Sequence, residues 1–175
     1  MYFRRFVLLL AFACLSGCAN QRDGADFSAM SQRIGPPRAG QARIVLFREK
    51  AYAGIMDQGW NVKLDGAQFP DLKTGTYVYM DRPAGRHQLS AAETMFPGAS
   101  QYDFVAESGR THFFLATPSE RAKTLYGMSI AGGVAGLVVG AVATSGGSGN
   151  LGPLDFVPMD EASGRNAMAD LRLAQ

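Results

Sequence analysis

The residues best suited to chemistry are two histidines, His87 and His112, which both lie in stretches with the composition of β-strands. A metal site needs such histidines to converge with further carboxylate or thiolate ligands, and neither an HxH nor an HExxH spacing is present. The sequence therefore predicts no metal site. It places His87 in a turn pattern and His112 on the surface of a strand.

Nucleophilic and acid–base chemistry also lack a recognisable arrangement. No serine lies in a G-x-S-x-G element. Asp65, Asp71 and Asp81 offer carboxylates for a paired acid and base, but they fall at predicted turns and strand ends, where aspartate is common. We expect a protein that is not an enzyme and that holds no cofactor.

Three aromatic residues are the candidates for a ligand platform. Trp60, Tyr77 and Tyr79 offer rings of the kind that bind cell-wall glycans, and Tyr77 and Tyr79 share one face because they are two residues apart in a strand. Aromatics at a period of two more often form core or sheet surface. We favour that interpretation and keep ligand binding as the alternative.

The elements that position these residues are mostly strands. In WNVKLDG, residues 60–66, apolar and polar side chains alternate up to an Asp-Gly turn, and TYVYMD and THFFLAT are rich in β-branched and aromatic residues. Residues 108–110 suit a hairpin turn between two further strands. About seven short strands predict a mainly β fold, a small antiparallel β-sandwich over residues 42–123.

The last segment, residues 154–175, is predicted to add a final strand, LDFVPM, and a short helix. Asp160 or Ser163 would cap this helix, Met168 and Leu171 would lie on one face, and Gly164 weakens it. Both elements would follow residues 124–153, a charge-free insertion that is rich in glycine.

Within that insertion, residues 125–143 would form a helix about 28 Å long, close to the thickness of a bilayer core. Gly132, Gly136 and Gly140 recur every four residues and form the small-residue stripe that lets helices pack closely in lipid. The segment resembles the glycine-zipper segments of envelope lipoproteins. Three interpretations remain: the segment lies in or against a membrane, packs on a second copy of the chain, or loops out of a soluble domain. We favour association with a membrane or with a second copy over an inert loop.

The N-terminus has the features of a secretory signal, with Arg4 and Arg5 before a short apolar run. Residues 15–18, LSGC, resemble the bacterial lipobox, so residues 1–17 are predicted to be removed and Cys18 to be acylated. Residues 18–41 would be a flexible tether between membrane and domain. Because Ala19 and not aspartate follows the cysteine, the resemblance implies an outer-membrane lipoprotein facing the periplasm of a Gram-negative bacterium.

The charge balance argues against a nucleic-acid partner. Removal of the signal takes two of the 17 basic residues and none of the 15 acidic ones, so the mature chain is neutral. Cys14 leaves with the signal, and Cys18 is the one thiol that remains and would carry lipid. The mature chain is therefore expected to form no internal disulfide.

The strand motifs together resemble a known family. ARIVLFRE, NVKLDG and LKTGTYVYMDRPAGRHQLSA, within residues 42–117, are similar to a family of bacterial lipoproteins catalogued as domain of unknown function 2846, and more distantly to PEGA-type and carboxypeptidase-regulatory-type sandwiches. The resemblance implies a sandwich and brings no activity. We expect a non-enzymatic envelope lipoprotein that scaffolds or binds a partner at the membrane, with glycan or cell-wall binding as the alternative.

Overall fold

The computed structural model describes residues 24–50, 59–94, 96–128 and 150–175, which form two packed sheets and three helices. The first and the last of these helices form a layer on one face of the first sheet. The first sheet contains β1 (Gln41–Arg48), β4 (Thr76–Pro83), β7 (Thr111–Pro118), β8 (Leu154–Met159) and β9 (Arg172–Leu173). The second contains β2 (Val62–Leu64), β3 (Ala67–Gln68), β5 (Gly85–Ala92) and β6 (Ala99–Ala106). The helices are α1 (Phe27–Ile34), α2 (residues 120–128) and α3 (Glu161–Ala167).

The strand orders are β8-β7-β1-β4-β9 and β3-β2-β5-β6. Most neighbours are antiparallel, but β1 pairs with β7 and β4 pairs with β9 in parallel. The predicted mainly β sandwich is confirmed. The predicted hairpin at residues 108–110 is wrong, because β6 and β7 belong to different sheets and the turn connects the two layers.

Strand β1 lies at the centre of the molecule and is buried on both faces. Ile44 and Leu46 point between the two sheets, whereas Val45 and Phe47 point toward the helices, and all four are fully buried. Full burial of each such side chain contributes about 1.5–3 kcal/mol to folding. This strand therefore joins the core between the sheets to a second core under the helical layer.

The predicted Asp-Gly turn forms between β2 and β3. Asp65 and Gly66 both have positive φ angles, 51° and 82°, as a two-residue hairpin turn requires. The alternation before the turn is also confirmed, since Trp60, Val62 and Leu64 are buried and the residues between them are exposed.

Helix α1 occupies the middle of the predicted tether. Its Phe27 and Met30 are buried against the helix-facing side of the first sheet, and the Asp26 carboxylate caps its start by accepting a hydrogen bond from Ala29 N at 2.8 Å. The Tyr77 hydroxyl donates to the Ala25 carbonyl at 2.9 Å just before the helix. The tether prediction is therefore wrong for residues 24–34, because an apolar helix face there covers an apolar sheet face.

The C-terminal segment is largely as predicted. β8 pairs with β7, Asp160 is the N-cap of α3, and Met168 and Leu171 are buried. Gly164 lies inside α3 at its contact with β7. A Cβ atom at this position would lie 2.6 Å from Cγ of Phe113, so the glycine allows the helix to approach the strand closely.

Candidate functional site

Two groups of predicted site residues lie outside the described part of the chain. They are Cys18, the predicted lipidation site, and the glycine stripe Gly132, Gly136 and Gly140. Among the residues that the structure describes, no helix has the length and apolarity that a membrane crossing needs.

The three aromatic residues considered for ligand binding do not come together. Trp60 is buried between the sheets with the Arg48 guanidinium 3.7 Å from its ring centre. Tyr77 is fully buried on the opposite side of the first sheet, and burial, followed by the nearby Asp26 carboxylate, raises the pKa of its hydroxyl. Tyr79 shares that face and is half-buried. These rings are core residues and form no platform.

The three aspartates are also separate. Asp81 forms a two-pronged ion pair with the buried Arg43, with N···O distances of 2.8 and 2.9 Å. Asp71 is exposed before the Leu72–Trp60 bridge, and Asp65 contacts His87. They make no pair for acid–base catalysis.

His87 is held on both sides. Its Nδ1 lies 2.6 Å from Oδ2 of Asp65 and its Nε2 lies 2.7 Å from the carbonyl oxygen of Pro83, and only 8% of its side chain is exposed. Both neighbours are hydrogen-bond acceptors, so each ring nitrogen of His87 already contacts an oxygen atom of the protein.

Asp65 is ordered by the same contacts. Its Oδ1 accepts a hydrogen bond from Gln88 N at 2.9 Å. This side-chain bond continues the hydrogen bonding between β2 and β5 beyond the last paired residue of β2. Burial raises the pKa of this carboxyl, but the Gln88 bond and the His87 contact outweigh burial and hold the pKa below its usual value.

His112 lies on the face of β7 that turns toward the second sheet, close to His87 and not on an isolated strand surface. The Phe104 ring lies between the two histidines, 5.8 Å from His87 and 6.3 Å from His112. Burial lowers the pKa of His112, and its Nε2 accepts a hydrogen bond from Glu107 N at 3.0 Å. No group of three or more metal-ligating residues occurs in the described ranges.

A surface cleft of about 480 Å³ opens beside this cluster, along β5 and β6. Its volume is within the range of about 300–1,000 Å³ that is usual for ligand sites. Gln88 donates from Nε2 to Oδ1 of Asp103 at 3.0 Å on its outer wall. Its lining residues are Asp65, Arg86, His87, Gln88, Asp103, Phe104 and Val105. The cleft combines fixed polar groups with an apolar strip.

The sequence motifs do not predict this site. Its apolar lining is Phe104 and Val105. Phe104 belongs to a cluster built from two pairs at a spacing of two, Tyr102 with Phe104 and His112 with Phe114, and the Phe104 and Phe114 ring centres are 4.7 Å apart. The spacing is visible in YDF and HFF, but the two strands belong to different sheets. Only the packing of the layers brings them together.

A two-sheet sandwich with a polar-walled cleft and a helical layer defines a small β-sandwich module. A family model described as Protein of unknown function (DUF2846) matches residues 38–127, just over half of the chain. The chain belongs to this family. The match covers β1 to β7 and most of α2, while α1, β8 and α3 lie outside it. No curated protein sequence matches the chain.

Proposed function

We propose that this protein is a non-enzymatic lipoprotein of the bacterial cell envelope, anchored through acylated Cys18, whose sandwich binds a partner protein at the membrane. The LSGC sequence behind a short apolar run supports the anchor. The observation that carries partner binding is the cleft: its Asp65, His87, Gln88 and Asp103 side chains are already fixed by mutual hydrogen bonds. Fixed polar groups beside an apolar strip favour binding, because little side-chain freedom is lost.

The packing of the N-terminal residues restricts where the partner lies. Gly24 packs against the Leu173 carbonyl, and the Ala25 carbonyl accepts hydrogen bonds from Tyr77 Oη and Leu173 N. The chain from Cys18 to Gly24 spans at most about 20 Å when extended. We infer that an acylated protein holds its domain close to the lipid surface, so that the partner is a membrane protein or lies next to the membrane.

The anchor is tested by labelling cells with an alkyne analogue of palmitate and by separating their membranes on a density gradient. We expect label on the wild type and on Cys14→Ala, whose cysteine lies in the removed segment, and none on Cys18→Ala. The labelled protein should travel with outer-membrane markers. Labelled Cys18→Ala protein, or an unlabelled wild type, would contradict the anchor.

A second candidate role, self-association through the glycine stripe, has one supporting observation. The residues on either side of the 129–149 segment are joined, since Ser119 N donates to the Pro153 carbonyl at 3.0 Å and β7 pairs with β8. The described residues on both sides of the segment therefore belong to one folded domain. We infer that the glycine stripe of this segment contacts a second copy. Replacing Gly136 with Leu should abolish crosslinked oligomers, and an unchanged oligomer pattern would remove this role.

A further inference from the structure

The four edge strands of the two sheets differ in how they are protected from pairing with another chain. β3 and β9 have two residues each, and β8 carries Pro158. β6 has eight residues, contains no proline or lysine and pairs with β5 in eight consecutive positions without a bulge. Short strands, proline, charged side chains and bulges are the usual protections of a sheet edge. β6 has one of these, the charged Asp103, and is the least protected edge in the described part of the protein.

The pairing pattern shows which backbone groups of β6 point outward. Asp65 N donates to the Gln88 carbonyl, so the backbone of Gln88 faces β2 and that of Leu89 faces β6, where it pairs with Tyr102. Asp103, next to Tyr102, therefore turns its N–H and C=O away from β5, as do residues 101 and 105. No strand of the described residues lies on that side.

Contacts at each end define the length of this free edge. At one end, the Ser100 hydroxyl donates to the Leu154 carbonyl at 2.6 Å and accepts from Leu154 N at 2.9 Å. At the other end, Glu107 N donates to Nε2 of His112. Residues 101–106 remain between these contacts, a length that suits a short added strand.

We propose that residues 101–106, the β6 edge, bind an extended segment of a partner protein as an added strand, with a lysine or arginine opposite Asp103. The proposal rests on the proposed partner-binding function and names its surface. Strand addition gives affinity through main-chain hydrogen bonds and specificity through alternate side chains. Here Asp103 and the exposed Val105 line one face of the edge, and the half-buried Tyr102 and Phe104 line the other.

The side chains of the edge specify the partner segment. In the added strand, the basic residue lies opposite Asp103, and the residues before and after it point to the other face of the sheet. That face carries Tyr102 and Phe104, so the two flanking residues of the partner should be apolar. A second copy of this chain fits less well. Residues 101–106 contain no lysine or arginine, so no pairing of two β6 edges gives Asp103 a cation, and pairing centred on Asp103 places two carboxylates opposite each other.

The test uses the full chain in detergent and a fluorescent peptide, Thr-Val-Lys-Val-Thr-Val, followed by fluorescence anisotropy. We expect saturable binding that weakens about tenfold for Asp103→Lys, because attraction becomes repulsion. A peptide with glutamate in place of lysine should bind Asp103→Lys better than the wild type. Asp71→Lys, an equal charge change at an exposed site away from β6, is the control and should bind like the wild type.

Two further peptides distinguish strand addition from simple charge attraction. In an added strand every second backbone amide faces β6, so one peptide is N-methylated on the amides that face β6 and the other on the amides that face away. Methylation of the set that faces β6 should weaken binding at least about tenfold, whereas methylation of the outer set should not. Absence of binding at millimolar peptide, equal effects of both methylations, or dimers that Asp103→Lys abolishes would overturn the proposal. Cys18 labelling is independent of this titration, so the anchor and the edge fail or succeed separately.

Discussion

The most informative perturbation of the fold is removal of Arg43, which joins α1 to the first sheet. Arg43 is 4% exposed, and its guanidinium makes three charge-assisted hydrogen bonds, two to Asp81 and one of 2.7 Å to the Gly35 carbonyl after α1. Arg43→Met leaves a carboxylate without its partner. Removing one member of a buried pair costs about 3–5 kcal/mol, and Asp81, with 29% of its side chain exposed, is partly rehydrated. We expect a loss of about 3 kcal/mol.

Urea denaturation measures this loss. With a slope of about 2 kcal/mol/M, the midpoint should fall by about 1.5 M without a change in slope. Replacing both partners, as Arg43→Met with Asp81→Leu, should recover most of the stability because no buried charge remains. Arg110→Met is the matched control: its ion pair with Glu107 has the same 2.8 Å length but is exposed, and no measurable shift is expected. A midpoint that moves by less than about 0.3 M for Arg43→Met would show that this buried ion pair does not stabilise the fold.

Two further predictions concern α3 and Asp65. Gly164→Ala should lower the free energy of unfolding by about 1–3 kcal/mol despite the better helix propensity of alanine, because its Cβ meets the Phe113 ring. The control is Gly127→Ala in α2, where no described atom lies within 4 Å of the added Cβ. Thermal denaturation should show this control to be neutral or stabilising. Because folding lowers the pKa of Asp65, its stabilising effect is complete above the unfolded pKa of about 4 and is lost as the pH falls below it. In the wild type the urea midpoint should fall below pH 4, and in Asp65→Asn this fall should be smaller. An identical pH dependence of the two midpoints would show that His87 and Gln88 do not stabilise the carboxylate.

The sequence predicts those parts of the fold that depend on residues close to one another in the chain. The alternation from Trp60 to Leu64 and the turn at Asp65 and Gly66 depend on neighbours in sequence, and both are found as expected. α1 was missed because an eight-residue helix is marginal alone. Its stability comes from Tyr77 and Phe113, residues of distant strands that pack on Phe27 with ring centres 5.6 Å away.

The candidate site was unpredictable for a related reason. Nothing in the spacing of His87 and His112 indicates that Phe104 will lie between them, because that contact depends on the parallel pairing of β1 with β7 and on the packing of the two sheets. The burial of Trp60 and Tyr77 on opposite sides of one sheet likewise follows from a layer order that the sequence does not display.

Photocrosslinking in intact cells is the sharpest test of the proposal that a partner strand adds to the β6 edge beside the membrane. A photoreactive amino acid would be introduced at Asp103 or Val105 on the edge, and at Lys63 or Ser90 on the same outer face but inside the sheet. We expect one discrete product from the two edge positions, lost when Cys18 is replaced by Ala, and none from the interior positions. Equal products from all four positions, or products from the interior positions alone, would contradict it.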